Sequence, residues 1–473
     1  MQKDALFGAV EAERERLYEL ADRIWETPEL GLHEEESSAA LADALADAGF
    51  DVERGIGGMP TAFRAEYGDG GPRIGLLGEF DALPSLSQAV SAERDPIEAG
   101  APGHGCGHNL FGTAGVGAAI AVARAIDAGD ADGTVVFLGC PAEETLVGKV
   151  FMARAGAFDD LDAALTWHPS DLSHPQLKSS NALDSVQYRF EGESAHAAAA
   201  PWAGRSALDA VELLNAGSEY MREHLSEESR LHYVITDGGE APNVVPETAA
   251  VWYYVRAPTR REVERITDWL DDVAGAAATM TRTALDRRYV TGCYQFLPNE
   301  TLTDLLMENM RAAGQIEYTD EDRAFAADLK ETVAEDDVEA TVGTAPEDRR
   351  EAVREASLYA EPFEPTGAGE TSAGSTEVGD VSWITPTAQF RAATWAVGTP
   401  AHTWQAVAAN GSFGRKGMLF AAKVLAGATA DLLSDPETVA AAREEFETAT
   451  EGRAYETPLP GGTEPPFDVT AGD

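Results

Sequence analysis

Lysine is almost missing from this chain: six occur in 473 residues, at Lys3, Lys149, Lys178, Lys330, Lys416 and Lys423. Arginine does not make up the difference, so 35 basic residues face 82 acidic ones and the formal net charge is −47. A surface of that sign does not neutralise phosphates, which excludes nucleic-acid binding from the expectations. The acids are spread along the whole chain rather than gathered into one patch for a basic partner. Such self-repulsion weakens a compact state at ordinary ionic strength and is screened by concentrated salt. A cytoplasm of high salt is therefore the expected setting. Cysteine is scarce as well: three residues, an odd number, do not build a disulfide framework. Uninterrupted apolar runs of membrane-spanning length are missing, so no membrane partner is expected. The N-terminal MQKDALFGAVEAERERLYEL reads as a charged amphipathic helix rather than a secretory leader, which adds to the cytoplasmic expectation.

What is present is enough apolar residue, 44%, for globular packing, in a chain too long for one ordinary core. Its densest chemistry is GHGCGHN at 103–109. A thiol and an imidazole two positions apart point the same way when the backbone is extended, so Cys106 and His108 can close on one metal ion. The flanking glycines let the chain turn tightly around it. His104 reads as a structural neighbour of that loop.

Four short apolar runs give the loop its context. RIGLLG (73–78) leads into Glu79 and Asp81; TVVFLGC (134–140) into Glu143 and Glu144; AALTW (163–167) into His168; and AATWAV (392–397) into His402. Each has the length and composition of a buried strand. In an open sheet flanked by helices, ligands collect outside the carboxyl ends of the strands. Four coincident cases predict one shared site. The small-residue helix LFGTAGVGAAIAVARAI (110–126) is suited to lie close on that sheet.

The candidate metal ligands are thus Cys106, His108, Glu144, His168 and His402. Five mixed S, N and O donors exceed a closed tetrahedral site and suit a pair of divalent ions with water between them, zinc by the soft thiolate or manganese by the carboxylate and imidazoles. Neighbours at a strand end project in opposite directions. One of Glu143 and Glu144 can therefore coordinate while the other faces the water and carries its proton to a leaving amine.

Elsewhere TPELGLHEEESS (27–38) lies between two expected helices, and its acidic run reads as a solvated helix start. Residues 181–292 alternate strand–helix–strand–strand–helix–strand, the split βαβ, ferredoxin-like order. The fold class is accordingly α/β: a catalytic domain with a central, mostly parallel sheet flanked by helices (1–180 and 293–450), carrying an inserted α+β domain (181–292). From 315 to 375 the pattern suggests surface helices and loops. The acidic tail 451–473, with PLPGGTEPP, is expected to be disordered. His174, His224 and His232 read as surface or interface groups, and Cys140 and Cys293 as core packing.

GEFDALP, GHGCGHN, PAEET, TWHP, ESAHAAAAP, NVVPETAAVWYYVR and GTPAHT together resemble the co-catalytic metallopeptidases related to carboxypeptidase G and aminoacylase. The likeness is to the amidohydrolase branch of hippurate and auxin-conjugate hydrolases, and within it, on GEFDALPSLSQ and STEVGDVSW, to the B-type chain of aminobenzoyl-glutamate hydrolase. The resemblance implies a zinc-peptidase-like fold that hydrolyses the amide of N-acyl amino acids, aroyl-glutamate-type conjugates or small dipeptides by metal-activated water. It implies Cys106 as the bridging ligand, with His108, Glu144, His168 and His402 completing two metals. It further implies Glu143 as general base, Asp81 as a ligand-orienting aspartate, and Glu79 as a further acid or ligand. In the inserted domain it implies His196 as an oxyanion stabiliser acting on a neighbouring subunit, hence a homodimer built through that domain, and Asn243 and Arg256 as substrate-holding residues. An A-type partner subunit also follows from the B-type likeness. The alternatives are a deacylase of an N-acetyl or N-succinyl amino acid, and a non-catalytic metal-binding subunit, against which the intact Glu143 argues.

Overall fold

The computed structural model describes residues 3–469. Met1 and Gln2, expected in the first helix, and residues 470–473 of the expected tail lie outside the described residues. Among the described residues eleven strands occur in chain order: β1 (Asp51–Arg54), β2 (Phe63–Gly68), β3 (Arg73–Glu79), β4 (Thr134–Cys140), β5 (Ala163–Ser170), β6 (His174–Pro175), β7 (Ala182–Glu191), β8 (Arg230–Asp237), β9 (Thr248–Ala257), β10 (Ala284–Cys293) and β11 (Thr387–Ala393).

Seven of them form one sheet in the order β1-β2-β4-β3-β5-β11-β6. The central β4, β3, β5 and β11 run parallel, while β1, β2 and β6 join at the edges by antiparallel pairing. Central strands covered on both faces need apolar residues at every position rather than alternation, and β4 is buried throughout. Helices His108–Asp127 and Ser412–Ser434 are long and apolar enough by composition to span a membrane, but 89% and 83% of their apolar windows are buried inside the protein. Small residues let the first of them lie flat on the sheet: a Cβ at Gly112 would come within 2.8 Å of the Glu79 carbonyl oxygen.

The other four strands make an antiparallel sheet in the order β10-β7-β9-β8. Its core, with Tyr188, Phe190, Val251 and Tyr253 among the buried side chains, packs beneath helices Ala207–Arg222 and Arg260–Thr281. β9 alternates strictly between half-buried and buried positions, as expected of a sheet covered on one face.

Several local expectations need correction. Residues 3–50 hold three helices rather than the two expected, because the chain breaks at Glu13 between Lys3–Ala12 and Arg14–Glu26 before Glu35–Asp47. The fourth parallel strand is Thr387–Ala393, upstream of the apolar run at 392–397. Its ladder with β5 ends where the Thr394 and Trp395 amides both donate to the Ser170 carbonyl, at 2.7 and 3.0 Å, and the chain turns away while staying buried. Burial continues past the strand end, so hydrophobicity alone misplaces it.

The tail is not free up to Val469. Leu459 and Val469 are buried. The Tyr455 hydroxyl donates to Asp380 at 2.8 Å, and Arg154 donates to the Thr463 carbonyl at 2.6 Å. A segment rich in Pro and Gly forms no ladder of its own, yet it is held here by side chains of the body it crosses.

Candidate metal centre

The site lies beyond the carboxyl ends of the parallel strands. β3 ends at Glu79 and delivers Asp81 two residues on; β4 ends at Cys140 ahead of the turn with Glu143 and Glu144; β5 carries His168. His108 opens the core helix His108–Asp127. Gly107 before it has φ +76°, and a Cβ there would also meet Pro169 at 2.9 Å, so only glycine passes the chain from the cysteine into the helix without strain. Ala142 (φ 54°) and His402 (φ 62°) are non-glycine residues in the left-handed region; the first stands two residues before Glu144 and the second is itself a proposed ligand. Backbone strain of this kind gathers where surrounding contacts over-determine a conformation. Here the His402 amide is held by the Gly105 carbonyl at 2.8 Å, and the Ala142 amide by the Glu34 carboxylate at 2.7 Å.

Two groups of donor atoms, each within 4.8 Å of one another, share the cysteine sulfur: Cys106, His108 and His168 on one side, and Cys106, Glu144 and His402 on the other. Cys106 Sγ lies 3.4 Å from His168 Nε2, and His402 Nε2 lies 3.1 Å from Glu144 Oε2. The far sides of two rings are already engaged. His108 Nδ1 sits 2.7 Å from Asp81 Oδ1, and His168 Nδ1 sits 2.7 Å from the Pro169 carbonyl oxygen. Both partners can only accept, so each Nδ1 carries the proton and each Nε2 is turned to the site. The second Asp81 oxygen accepts the Glu144 amide at 2.9 Å, so one carboxylate orients donors in both groups. His108 Nε2 and Glu144 Oε1 are buried without hydrogen-bond partners. Orphaned donor atoms aimed at a common point fit a cation there.

The electrostatics fit as well. Burial by itself raises the Cys106 thiol, but His168 and His108 outweigh it and hold the pKa well below the usual thiol value. Burial disfavours charge on His108, yet Cys106 and Asp81 pull its pKa well above that of a free imidazole. Hydrogen bonds to Cys106 and Glu144 raise His402 to about 11. Glu144 is raised to about 7 by burial and then by Cys106. Like charges about 5 Å apart at an effective dielectric near 20 repel by roughly 3 kcal/mol. A pocket that draws protons onto its own side chains for that reason suits divalent cations in their place.

Glu143, half-buried, forms a third donor group with Glu79 and His108. Burial, then Glu79 and Glu377, raise its pKa well above the usual carboxyl value. Behind it stands Lys149, fully buried, with Nζ 2.6 Å from Glu79 and 3.2 Å from Glu377. Glu79 therefore spends one oxygen on the ammonium, while the other lies 3.4 Å from His108 Nε2 without hydrogen-bond alignment.

Sequence reasoning does not single out Lys149, Glu377 or Glu34. Glu34 is completely buried rather than part of a solvated helix start, and its carboxyl is raised to about 8 by burial and then Asp81. One signal exists: Lys149 is one of six lysines and opens the apolar stretch KVFMA of the short helix Gly148–Arg154.

Glu79, Cys106, Glu143, Glu144, His168, His402 and Arg256 border a common cleft of about 360 Å³. Arg256 Nε is buried without a partner, and the guanidinium lies 5.7 Å from the Tyr254 ring centre. His196 and Asn243 do not border this cleft. They sit exposed on adjoining loops of the smaller sheet unit, where His196 pairs with Val244 and the Ala197 amide donates to the Asn243 carbonyl at 3.0 Å. His104 is buried against the Ile24 carbonyl at 3.1 Å. His174, expected at the surface, is instead half-buried with its ring stacked on Phe363 at 5.0 Å. His224 and His232 are exposed, and Cys140 and Cys293 are buried.

The profile of peptidase family M20/M25/M40 matches residues 75–468. The B chain of the p-aminobenzoyl-glutamate hydrolase of Escherichia coli (strain K12) is 42% identical over 469 residues, covering 97% of each chain. The Xaa-Arg dipeptidase of Mus musculus is 34% identical over 322 residues, 65% of this chain and 70% of that one. In fold, the chain resembles a Bacillus subtilis protein described as a dinuclear metal binding peptidase from the M20 family, with TM-score 0.57 and 16% identity over 90% of this chain and 99% of that one. The chain belongs to peptidase family M20/M25/M40 and is a metal-dependent amidohydrolase of that family.

Proposed function

We propose that this enzyme cleaves the amide of N-acyl amino acids, with aroyl-glutamate-type conjugates first and small dipeptides second. The observation that carries this reading is the pair of donor groups meeting at Cys106 Sγ on the floor of a cleft that also holds Glu143 and Arg256. Two divalent ions, zinc or manganese, would be held by Cys106 between them, by His108 and His168 on one side and by Glu144 and His402 on the other. Bound there, they supply the acidity that makes water a nucleophile at neutral pH and polarise the substrate carbonyl. The chain's own residues do the rest. Asp81 holds His108 and the Glu144 backbone in place. Glu143 takes the proton from the attacking water and delivers it to the departing amine nitrogen. Arg256 holds the substrate carboxylate as a two-pronged donor.

Residues 181–292 act in this reading as a ferredoxin-like dimerisation and lid domain, with residues 1–180 and 293–450 as the catalytic domain. Its β8 lies at a sheet edge with Tyr233, Val234 and Ile235 exposed at 41%, 53% and 43%. Three consecutive exposed apolar or aromatic residues on an open edge support pairing with a second copy. Across such an interface His196 and Asn243 would serve the partner's cleft, His196 steadying the oxyanion of the tetrahedral state. Sedimentation at about twice the 50.2 kDa chain mass would agree; a monomer active at any dilution would rule this out. That the Escherichia coli relative is named as the B member of its hydrolase supports an A-type partner as well. The acid excess supports a high-salt cytoplasm, and a melting temperature that does not rise with potassium chloride would refute it.

The direct test is metal analysis of the purified protein together with amine release from a panel of N-acyl amino acids, aroyl-glutamates and dipeptides. Two ions per chain and turnover of at least one panel member are expected. Loaded protein that releases no amine from any of them would overturn the reading.

A further inference from the structure

A second cavity, of about 370 Å³, lies beside the metal cleft, and the two share Gln176, Ser372 and Arg391 as walls. We propose that this second chamber is a subsite for a substrate carboxylate other than the one assigned to Arg256, and that Arg391 is the residue that recognises it. The proposal rests on the amidohydrolase reading of the cleft and adds a substrate class to it.

Arg391 stands in β11 directly opposite His168 of the parallel neighbour β5 and opposite His174 of β6. Partners in register share a face of the sheet, so the Arg391 side chain leaves the backbone one strand spacing, about 4.8 Å, from that of a proposed metal ligand. Half-buried, it donates to Gln176 Oε1 at 3.3 Å, and among the described residues no carboxylate lies within ion-pairing distance of it. The carboxylate across the chamber is already committed: Asp171 Oδ2 accepts the Thr341 hydroxyl at 2.5 Å and the Gly398 amide at 2.9 Å. Lys178, the chamber's other cation, is paired with Glu370 at 2.7 Å. His174 is held neutral by burial, its pKa drawn down to about 4.

Arg391 is therefore the one strong donor on the shared wall with most of its five N–H groups unspent. Burial lowers its pKa more than Asp171 and Cys106 raise it, so the interior leaves this charge under-compensated. An anion from outside would complete it with charge-assisted hydrogen bonds. The carboxylate can belong to the amino-acid side chain or to the acyl half, since Arg391 borders both the chamber and the cleft in which both halves would lie.

Binding to the metal-stripped full-length protein separates these sources without turnover. The ligands are N-benzoyl-glutamate against N-benzoyl-glutamine, and N-succinyl-alanine against N-butyryl-alanine; each pair differs chiefly in the second carboxylate. Calorimetry should show at least one charged ligand binding tenfold or more tightly than its neutral partner. Arg391→Met should abolish that preference and leave neutral affinities within about threefold, whereas Arg391→Lys, which keeps the charge, should retain part of it. Wild-type protein without preference in either pair, or a preference that survives in Arg391→Met, would overturn the proposal. Amine release by the metal-loaded wild type is the separate readout. Charge preference without turnover refutes the hydrolase reading and leaves the subsite standing; turnover without charge preference refutes the subsite alone.

Discussion

Replacing Glu143 with glutamine is expected to lower kcat by about 10³–10⁴-fold while metal content and melting temperature stay near wild type. The change conserves shape and removes only the ability to accept a proton. Glu143 borders the cleft beside Glu144, His168 and His402, but it belongs to neither of the donor groups that meet at Cys106. Its loss should therefore appear in kcat and leave KM within a few-fold, because substrate is held elsewhere, by Arg256 in the proposed reading. Metal analysis beside steady-state kinetics checks both parts. A kcat within tenfold of wild type would remove Glu143 from proton transfer. A fall in activity that followed a fall in bound metal would make it a ligand instead.

Cys106→Ser carries the second large effect. Its sulfur is the only atom common to both donor groups, 3.4 Å from His168 on one side and grouped with Glu144 and His402 on the other. The surroundings that hold the thiol's pKa well below its usual value favour a thiolate at neutral pH. A serine hydroxyl in that place stays protonated, is harder, and bridges two ions poorly. Bound metal should fall from two ions to one or fewer per chain, and kcat/KM by at least about 10²-fold. Melting of the metal-stripped protein should move by only a few degrees, because Cys106 sits in a loop and loses little volume. Unchanged metal stoichiometry would contradict the bridging position.

The site is legible from sequence to the extent that its parts are local. Cys106 and His108 sit in one loop, Glu143 and Glu144 in one turn, and two of the four apolar runs end within a residue of their strands, while the strand of the third continues through His168 to Ser170. The fourth, ahead of His402, is misplaced by about five residues because the chain remains buried after β11 leaves its ladder. The acid run at 34–36 has the pattern of a solvated face, yet Glu34 is the buried acceptor that ties the Ala142 turn to the N-terminal helices. Local pattern does not say whether a charge is at the surface; that depends on what the rest of the chain brings to it.

Composition and spacing were enough, by themselves, to determine an acid-rich α/β chain with candidate donor residues at or near strand ends, because burial periodicity and ligand chemistry are properties of a few neighbouring residues. Only the tertiary structure decided that Lys149 lies between Glu79 and Glu377, that the segment up to Val469 is tied to the body, and that Arg391 has no anion of its own among the described residues. Each of these depends on residues tens to hundreds of positions apart meeting in a space with little water, where a charge must find its counterpart or leave room for one.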